Sequence, residues 1–256
     1  VRLPLFPLHT VLAPGIALPL HVFEDRYRLL VRRCLDASAP FGIVLIREGS
    51  ETVPRGGEGA ELAIAGVGTF AEIREASKYA DGRWDLLVVG TGRFTVLEVD
   101  AVAEPYLMAE VEPLADDVGD PSAAARLVRH VGARFIEYLH ELQPREGELG
   151  LPVDVRVEVE VDDVPVEDVA STTPAAPGDE PEGDSLRVPE DPSALSFLLT
   201  GIVQAELERK QALLEASSAE ERLRNLDGLL RRELGLLDQR LGLYVPDRAG
   251  LRDRLN

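Results

Sequence analysis

The chain has 256 residues, 45% of them apolar and 29% charged, with a net charge of −19, which is enough apolar material for a real core and excludes a wholly disordered chain. No run approaches the ~18 apolar residues needed to span a bilayer. The one cysteine, Cys34, excludes an internal disulfide and any cysteine-based zinc site, and a reducing, cytoplasmic setting is the simplest reading. The opening residues show no apolar run with a small-residue cleavage site, so no secretory signal is expected.

The first elements are short. Residues 3–8 and 16–22 are apolar and punctuated by proline, with Pro14-Gly15 as a turn between them. A helix is predicted over 24–36, with Phe23, Tyr27, Leu30, Val31, Cys34 and Leu35 at helical spacing. Glu24 and Asp25 fall in its first turn, where the helix dipole favours acids. Residues 41–46 read as a buried strand. Strand-like runs follow at 62–73, 84–89, 94–99 and 106–111, separated by Asp81-Gly82 and Gly90-Thr91-Gly92. Short strands at this spacing with one early helix predict a mostly antiparallel barrel over residues 1–113.

After Pro113 the apolar period changes from 2 to 3.6. Asp120-Pro121 and Asp191-Pro192 each pair an N-cap with proline at the first helical position. The first opens a helix within 114–145, striped by Leu127, Val128, Val131, Phe135, Tyr138, Leu139 and Leu142. The second opens a helix whose stripe runs Leu195, Leu198, Leu199, Ile202, Val203 and Leu207. Ser217 and Ser218 stand at capping-box spacing before a third helix, which carries Leu223, Leu226, Leu230, Leu234 and Leu237. The region 192–256 is therefore expected to be a helical unit packed on the first helix or on the barrel.

Between these helices the charge is concentrated. Residues 146–191 hold 15 acidic and two basic residues, a net of −13, leaving −6 on the other 210. Val153 to Val161 alternate with polar residues as in a strand. Residues 171–185 have almost no apolar side chains and read as disordered. A near-neutral body with an acidic insertion lacks the concentrated Lys and Arg that phosphate binding needs, which argues against nucleic acid as a partner.

No catalytic set stands out. His140-Glu141 is half of a zinc-protease motif, but position 144 is proline, not the second histidine. There is no nucleophile elbow and no phosphate-cradling loop. A serine–lysine pair would need Lys78 or Lys210, the only lysines. One falls in a polar loop and the other on a charged helix, and neither reads as desolvated. No cofactor and no metal are therefore expected. Arg26, Arg28, Arg32 and Arg33 form the densest basic cluster. They read either as a solvated face paired with nearby acids or as a contact for an acidic partner, the chain's own 146–191 segment included.

The ordered series Leu3-Pro4-Leu5-Phe6-Pro7-Leu8, Val11-Leu12-Ala13-Pro14-Gly15 and residues 18–28 (LPLHVFEDRYR) is followed by Pro40 to Leu45. It resembles the N-terminal substrate-binding domain of Lon proteases, a domain type also found in cereblon. Residues 210–215 (KQALLE) and 221–223 (ERL) resemble its helical part. The resemblance implies an α+β fold, a PUA-like, mostly antiparallel β-barrel followed by an α-helical bundle. It points to the free-standing relatives that lack the ATPase and peptidase domains. Ala13 departs from the family, which commonly has a bulky apolar residue before Pro-Gly.

The function this implies is non-catalytic binding of unfolded or exposed polypeptide segments, with a separate protease or chaperone as a further partner. Pro7, His21 and Phe41 are candidates to line the groove. An ATP-independent hydrolase or peptidase and an RNA-binding PUA-like module are the alternatives.

Overall fold

The computed structural model describes residues 1–48, 63–142 and 188–244. The alternating valines at 153–161, the polar stretch at 171–185 and most of the acidic region lie outside them. The strands are β1 (Arg2–Leu8), β2 (Ala17–Val22), β3 (Phe41–Glu48), β4 (Ala63–Ile64), β5 (Val67–Lys78), β6 (Trp84–Asp100) and β7 (Leu107–Leu114). The helices are α1 (Asp25–Ala37), α2 (Pro121–Leu142), α3 (Pro192–Ile202), α4 (Leu207–Glu215) and α5 (Ala219–Tyr244).

The hydrogen-bonded order β1-β7-β6-β5-β3 closes on itself, because β1 also pairs with β3. That last pairing is parallel, with Phe6 opposite Ile43, and the other pairings are antiparallel. The expected mostly antiparallel barrel is therefore present. Prolines 4 and 7 sit in a strand paired on both sides. Pro4 faces Met108 on β7 and Pro7 faces Val44 on β3.

The buried side chains of the barrel form two patches, one on each face of its strands. Phe6 stacks on Tyr27 with ring centroids 4.1 Å apart. Around them lie Leu30, Val31, Cys34, Phe41, Ile43 and Val88, which packs the apolar stripe of α1 onto the sheet. Leu3, Leu5, Val44, Phe94, Ala109 and Val111 form the second patch. Burial in the first pushes the Cys34 thiol up to about 11, so it is an unreactive small core residue.

The strands of the β5–β6 hairpin differ from the sequence reading. The runs at 84–89 and 94–99 form one strand, β6. Phe70 pairs with Gly92 and Ala71 with Gly90, so Thr91 is extruded as a bulge rather than ending the strand. Gly90 is needed there: a Cβ would meet the Ala13 carbonyl oxygen at 2.5 Å. Strand β5 continues five residues past Ile73 to Lys78, and its last residues are exposed. There the β5–β6 hairpin extends beyond the core, so the apolar alternation that marks a strand is lost.

Among the described residues the helices after the barrel number four, not three. Residue 203 turns to extended backbone (φ −60°, ψ 129°) and buries its side chain, which ends α3. Leu207 begins α4 and is 38% exposed, off the apolar stripe. The predicted caps form: Asp120 accepts from the Ser122 amide at 2.8 Å and Asp191 from the Ala194 amide at 2.8 Å. Of the two serine spacings, Ser218 caps α5, accepting from the Glu221 amide at 3.2 Å. The other acid, Glu220, accepts instead from the Asp120 amide at 2.9 Å, tying α5 to the start of α2. Val131, Phe135, Leu195, Leu199, Leu223, Leu226 and Leu230 make the helical core.

Barrel and helices meet through Ala13, Phe197 and Leu214, which bury one another. The small side chain at 13 lets the Phe197 ring approach. Beside it lie two buried arginines. Arg93 on β6 donates to the Leu214 and Ala216 carbonyls at 2.8 and 2.7 Å and to Asp116 at 2.9 Å. Arg222 on α5 donates to Asp116 at 2.8 Å and to the Ser196 hydroxyl at 2.8 Å. Its guanidinium carbon lies 3.7 Å from the Phe197 ring centroid, a cation–π contact. Burial lowers the pKa of both guanidiniums, and the Asp116 carboxylate opposes that shift.

Candidate functional site

The β5–β6 hairpin ends in a tight loop. The Gly82 amide donates to the Tyr79 carbonyl at 2.9 Å, and the Tyr79 amide to the Arg83 carbonyl at 2.9 Å. Gly82 sits at φ +87°, where a side chain would be strained. The end of β2 lies alongside, with His21 opposite Asp85 and Val22 opposite Trp84. Since side chains alternate along a strand, His21 and Asp85 face one side of the sheet and Trp84 and Lys78 the other.

The first side carries aromatic groups in solvent. Phe23 is 57% exposed and Tyr79 44%. The His21 ring lies 6.3 Å from Phe23 and 6.2 Å from Tyr79. His21 Nδ1 is 2.6 Å from Asp85, the Tyr79 hydroxyl donates to the same carboxylate, and Arg83 Nη1 is 3.3 Å from His21 Nε2. The tautomer that satisfies both ring contacts places the proton on Nδ1. Hydrogen bonds from Tyr79 and His21 hold the Asp85 carboxyl below its usual range. The same bond to Asp85 raises the pKa of Tyr79. A histidine–carboxylate pair is half of a hydrolytic triad. Here the outer nitrogen faces a guanidinium, not a nucleophile.

The other side forms a cavity of about 250 Å³ lined by Arg28, Arg32, Lys78, Asp81, Gly82 and Trp84. Arg28 donates to Asp25 at 2.9 Å and to the Asp81 carbonyl at 3.1 Å. The Lys78 ammonium lies 5.4 Å over the Trp84 ring.

The expected groove residues separate. Pro7 and Phe41 are buried in the barrel, because the prolines of β1 lie inside a closed ring of strands and not on a free edge. Only His21 is presented to solvent. The arginine cluster separates as well. Arg26 pairs with Glu24 at 2.8 Å and lies over Tyr27, and Arg33 pairs with Glu104 at 2.8 Å and donates to the Tyr106 hydroxyl. Arg28 and Arg32 remain on the cavity. Phe23, read as the first residue of the α1 stripe, precedes the helix and is exposed. Helical spacing places a residue on a face only once the helix has begun.

Lys210 differs from the sequence reading. It is partly desolvated, which lowers its pKa, and its ammonium donates to the Gly201 carbonyl at 3.0 Å rather than to a serine. His130 and His140 are exposed on α2, and His130 lies 3.4 Å from Asp227. Among the described residues no group of three or more His, Cys, Asp or Glu side chains is placed to hold a metal ion, and no helix is long and apolar enough to cross a membrane.

Residues 2–232 match the family model of the ATP-dependent protease La (LON) substrate-binding domain. Lon protease 1 of Thermus thermophilus is 26% identical over 258 aligned residues, covering 99% of this chain and 28% of that protein. Lon protease of Anaeromyxobacter dehalogenans is 30% identical over 57% of this chain and 17% of its own length. The chain thus spans less than a third of the length of these relatives. Among solved structures, a Lon N-terminal domain protein from Xanthomonas campestris aligns with a TM-score of 0.53 at 22% identity, covering 88% of this chain and 96% of that one. The N-terminal domain of a Mycobacterium avium complex Lon protease aligns with a TM-score of 0.50 at 16% identity. These likenesses establish the fold, and the match over residues 2–232 establishes the family: the chain belongs to the Lon substrate-binding domain family.

Proposed function

We propose that this protein is a non-catalytic binding module that holds exposed or unfolded polypeptide segments on the His21–Phe23–Tyr79 surface. The observation that carries this reading is the pair of exposed aromatic rings flanking His21. Aromatic side chains supply large contact area at low entropic cost, and they are enriched where proteins bind other chains. Membership of a substrate-binding family supports the same reading. A hydrolase reading gains nothing from His21 and Asp85, since Arg83 occupies the position a nucleophile would need. Service to a separate protease or chaperone is the role such a module would fill.

The experiment is titration of the full chain with a fluorescently labelled, permanently unfolded polypeptide and with the same sequence in folded form. Binding of the unfolded form at micromolar to millimolar concentration, about −8 to −4 kcal/mol, weakened by Phe23→Ser with Tyr79→Ser, is the expected result. Equal binding of both forms, or no effect of the double substitution, overturns it.

A further inference from the structure

We propose that the cavity between α1 and the tip of the β5–β6 hairpin binds adjacent Asp or Glu side chains of an extended polypeptide. This rests on the polypeptide-binding reading and adds a preference for acidic sequence. Three cations line the cavity, Arg28, Arg32 and Lys78. Arg32 and Lys78 make no ion pair with any carboxylate among the described residues. Arg28 is held in place by Asp25 and the Asp81 carbonyl. Gly82 leaves room for its guanidinium, since a Cβ there would meet Nη2 at 1.8 Å.

The one acid lining the cavity, Asp81, is already taken. It accepts from the Arg83 amide at 3.1 Å and from Arg83 Nε at 2.7 Å. Two cations with no carboxylate partner among the described residues and one positioned guanidinium therefore face about 250 Å³ of open space. That is room for two carboxylates, which guanidinium and ammonium groups bind through charge-assisted hydrogen bonds. A nucleic acid strand fits less well. Its charge continues past the cavity onto a chain of net charge −19, whereas a carboxylate pair confines its charge to the cavity. The exposed aromatic face lies on the opposite side of the same strand ends. A segment that mixes aromatic-binding and acidic residues could reach both around the hairpin tip.

Trp84 is the only tryptophan and lines the cavity, so its emission reports occupancy. The full chain is titrated with a Gly-Ser peptide carrying adjacent Glu residues and with the same peptide carrying Gln. The Glu peptide is expected to change Trp84 emission and to bind roughly tenfold more tightly, as two exposed ion pairs allow. Arg32→Gln with Lys78→Gln should abolish that preference, while Arg32→Lys with Lys78→Arg should keep it. Both sites are exposed, so circular dichroism should be unchanged. Equal binding of Glu and Gln peptides overturns the proposal, as does a Glu preference that survives the Gln double substitution. A single-stranded oligonucleotide that saturates the Trp84 change at lower concentration also overturns it, in favour of a phosphate ligand. The two readings fail separately. A neutral unfolded polypeptide that does not bind removes the broader one, and Glu–Gln equality removes only this one.

Discussion

Arginine serves opposite ends at two places along β6. Midway along the strand, Arg93 is 3% exposed and meets the fully buried Arg222 across Asp116, with backbone carbonyls, Ser196 and the Phe197 ring filling most of their contacts. At the start of the strand, beside Trp84, Arg28 and Arg32 face an open cavity and Arg32 has no acidic partner among the described residues. Buried guanidiniums are costly unless their donors are used; among the described residues all the donor nitrogens of this pair but Arg93 Nε and Arg222 Nη1 find acceptors, so the pair is committed to joining barrel and helices. Ion pairs of partly or fully exposed arginines contribute little to stability, which leaves the second pair open to the proposed ligand. The residue type is the same, and the surroundings decide whether its loss would be felt in folding or in binding.

The largest effect should come from the junction. Arg222→Ala empties a fully buried position and takes one partner from Asp116 and the cation from Phe197, and should cost about 3–5 kcal/mol in urea unfolding. The same change at Arg32 should cost under about 0.5 kcal/mol. Comparable costs at the two sites would erase the distinction.

The next effect separates two phenylalanines. Phe41→Ala empties a fully buried position and should cost about 3–5 kcal/mol, whereas Phe23→Ala should leave stability within about 0.5 kcal/mol and weaken polypeptide binding. Thermal unfolding and binding titration of both variants check this. A Phe41 variant that stayed stable would place that ring outside the core.

Gly82→Ala is expected to act more gently. It forces a side chain into positive φ and displaces Arg28, costing about 1–2 kcal/mol. The Glu-peptide response of Trp84 should fall with it. An unaltered response would show that Arg28 is not part of the anion site.

The smallest expected effect is local and pH-dependent. The Asp85 pKa is depressed in the fold, so its contribution is present above the ordinary value of 3.8 and lost as pH falls through the folded one. The Tyr79 pKa is raised, so its contribution is present below 10.0 and lost as pH rises through the folded value. The Tyr79 ring resonances should therefore move as pH falls through the folded Asp85 value and again as it rises through the folded Tyr79 value. Asp85→Asn should remove the acid-side change, and resonances of that variant that still moved in acid would assign the change to another group.

The barrel was legible because β1, β3 and the α1 stripe are written in apolar residues whose period matches their burial, and because Asp-Pro pairs mark helix starts. The continuity of β6 was hidden by Gly90 and Gly92, which look like a turn when they flank a bulge. The extra helix boundary was hidden because Val203, which ends α3, is apolar and continues the stripe. The proposed binding surface was only half visible. His21 could be named, but Phe23 reads as part of the α1 stripe and Tyr79 follows Lys78 into a polar loop, and only the folded hairpin brings both rings beside His21. The Arg93–Asp116–Arg222 junction had no local signature, since its members are joined across 129 positions of chain.

The central claim is that polypeptide binds at the hairpin tip, and chemical-shift mapping tests it most directly. On titration with the unfolded polypeptide, the largest amide perturbations should fall on residues 21–23 and 79–85. Perturbations centred instead on the α4–α5 cavity, lined by Arg209, Leu213, Arg224 and Leu229, would contradict it.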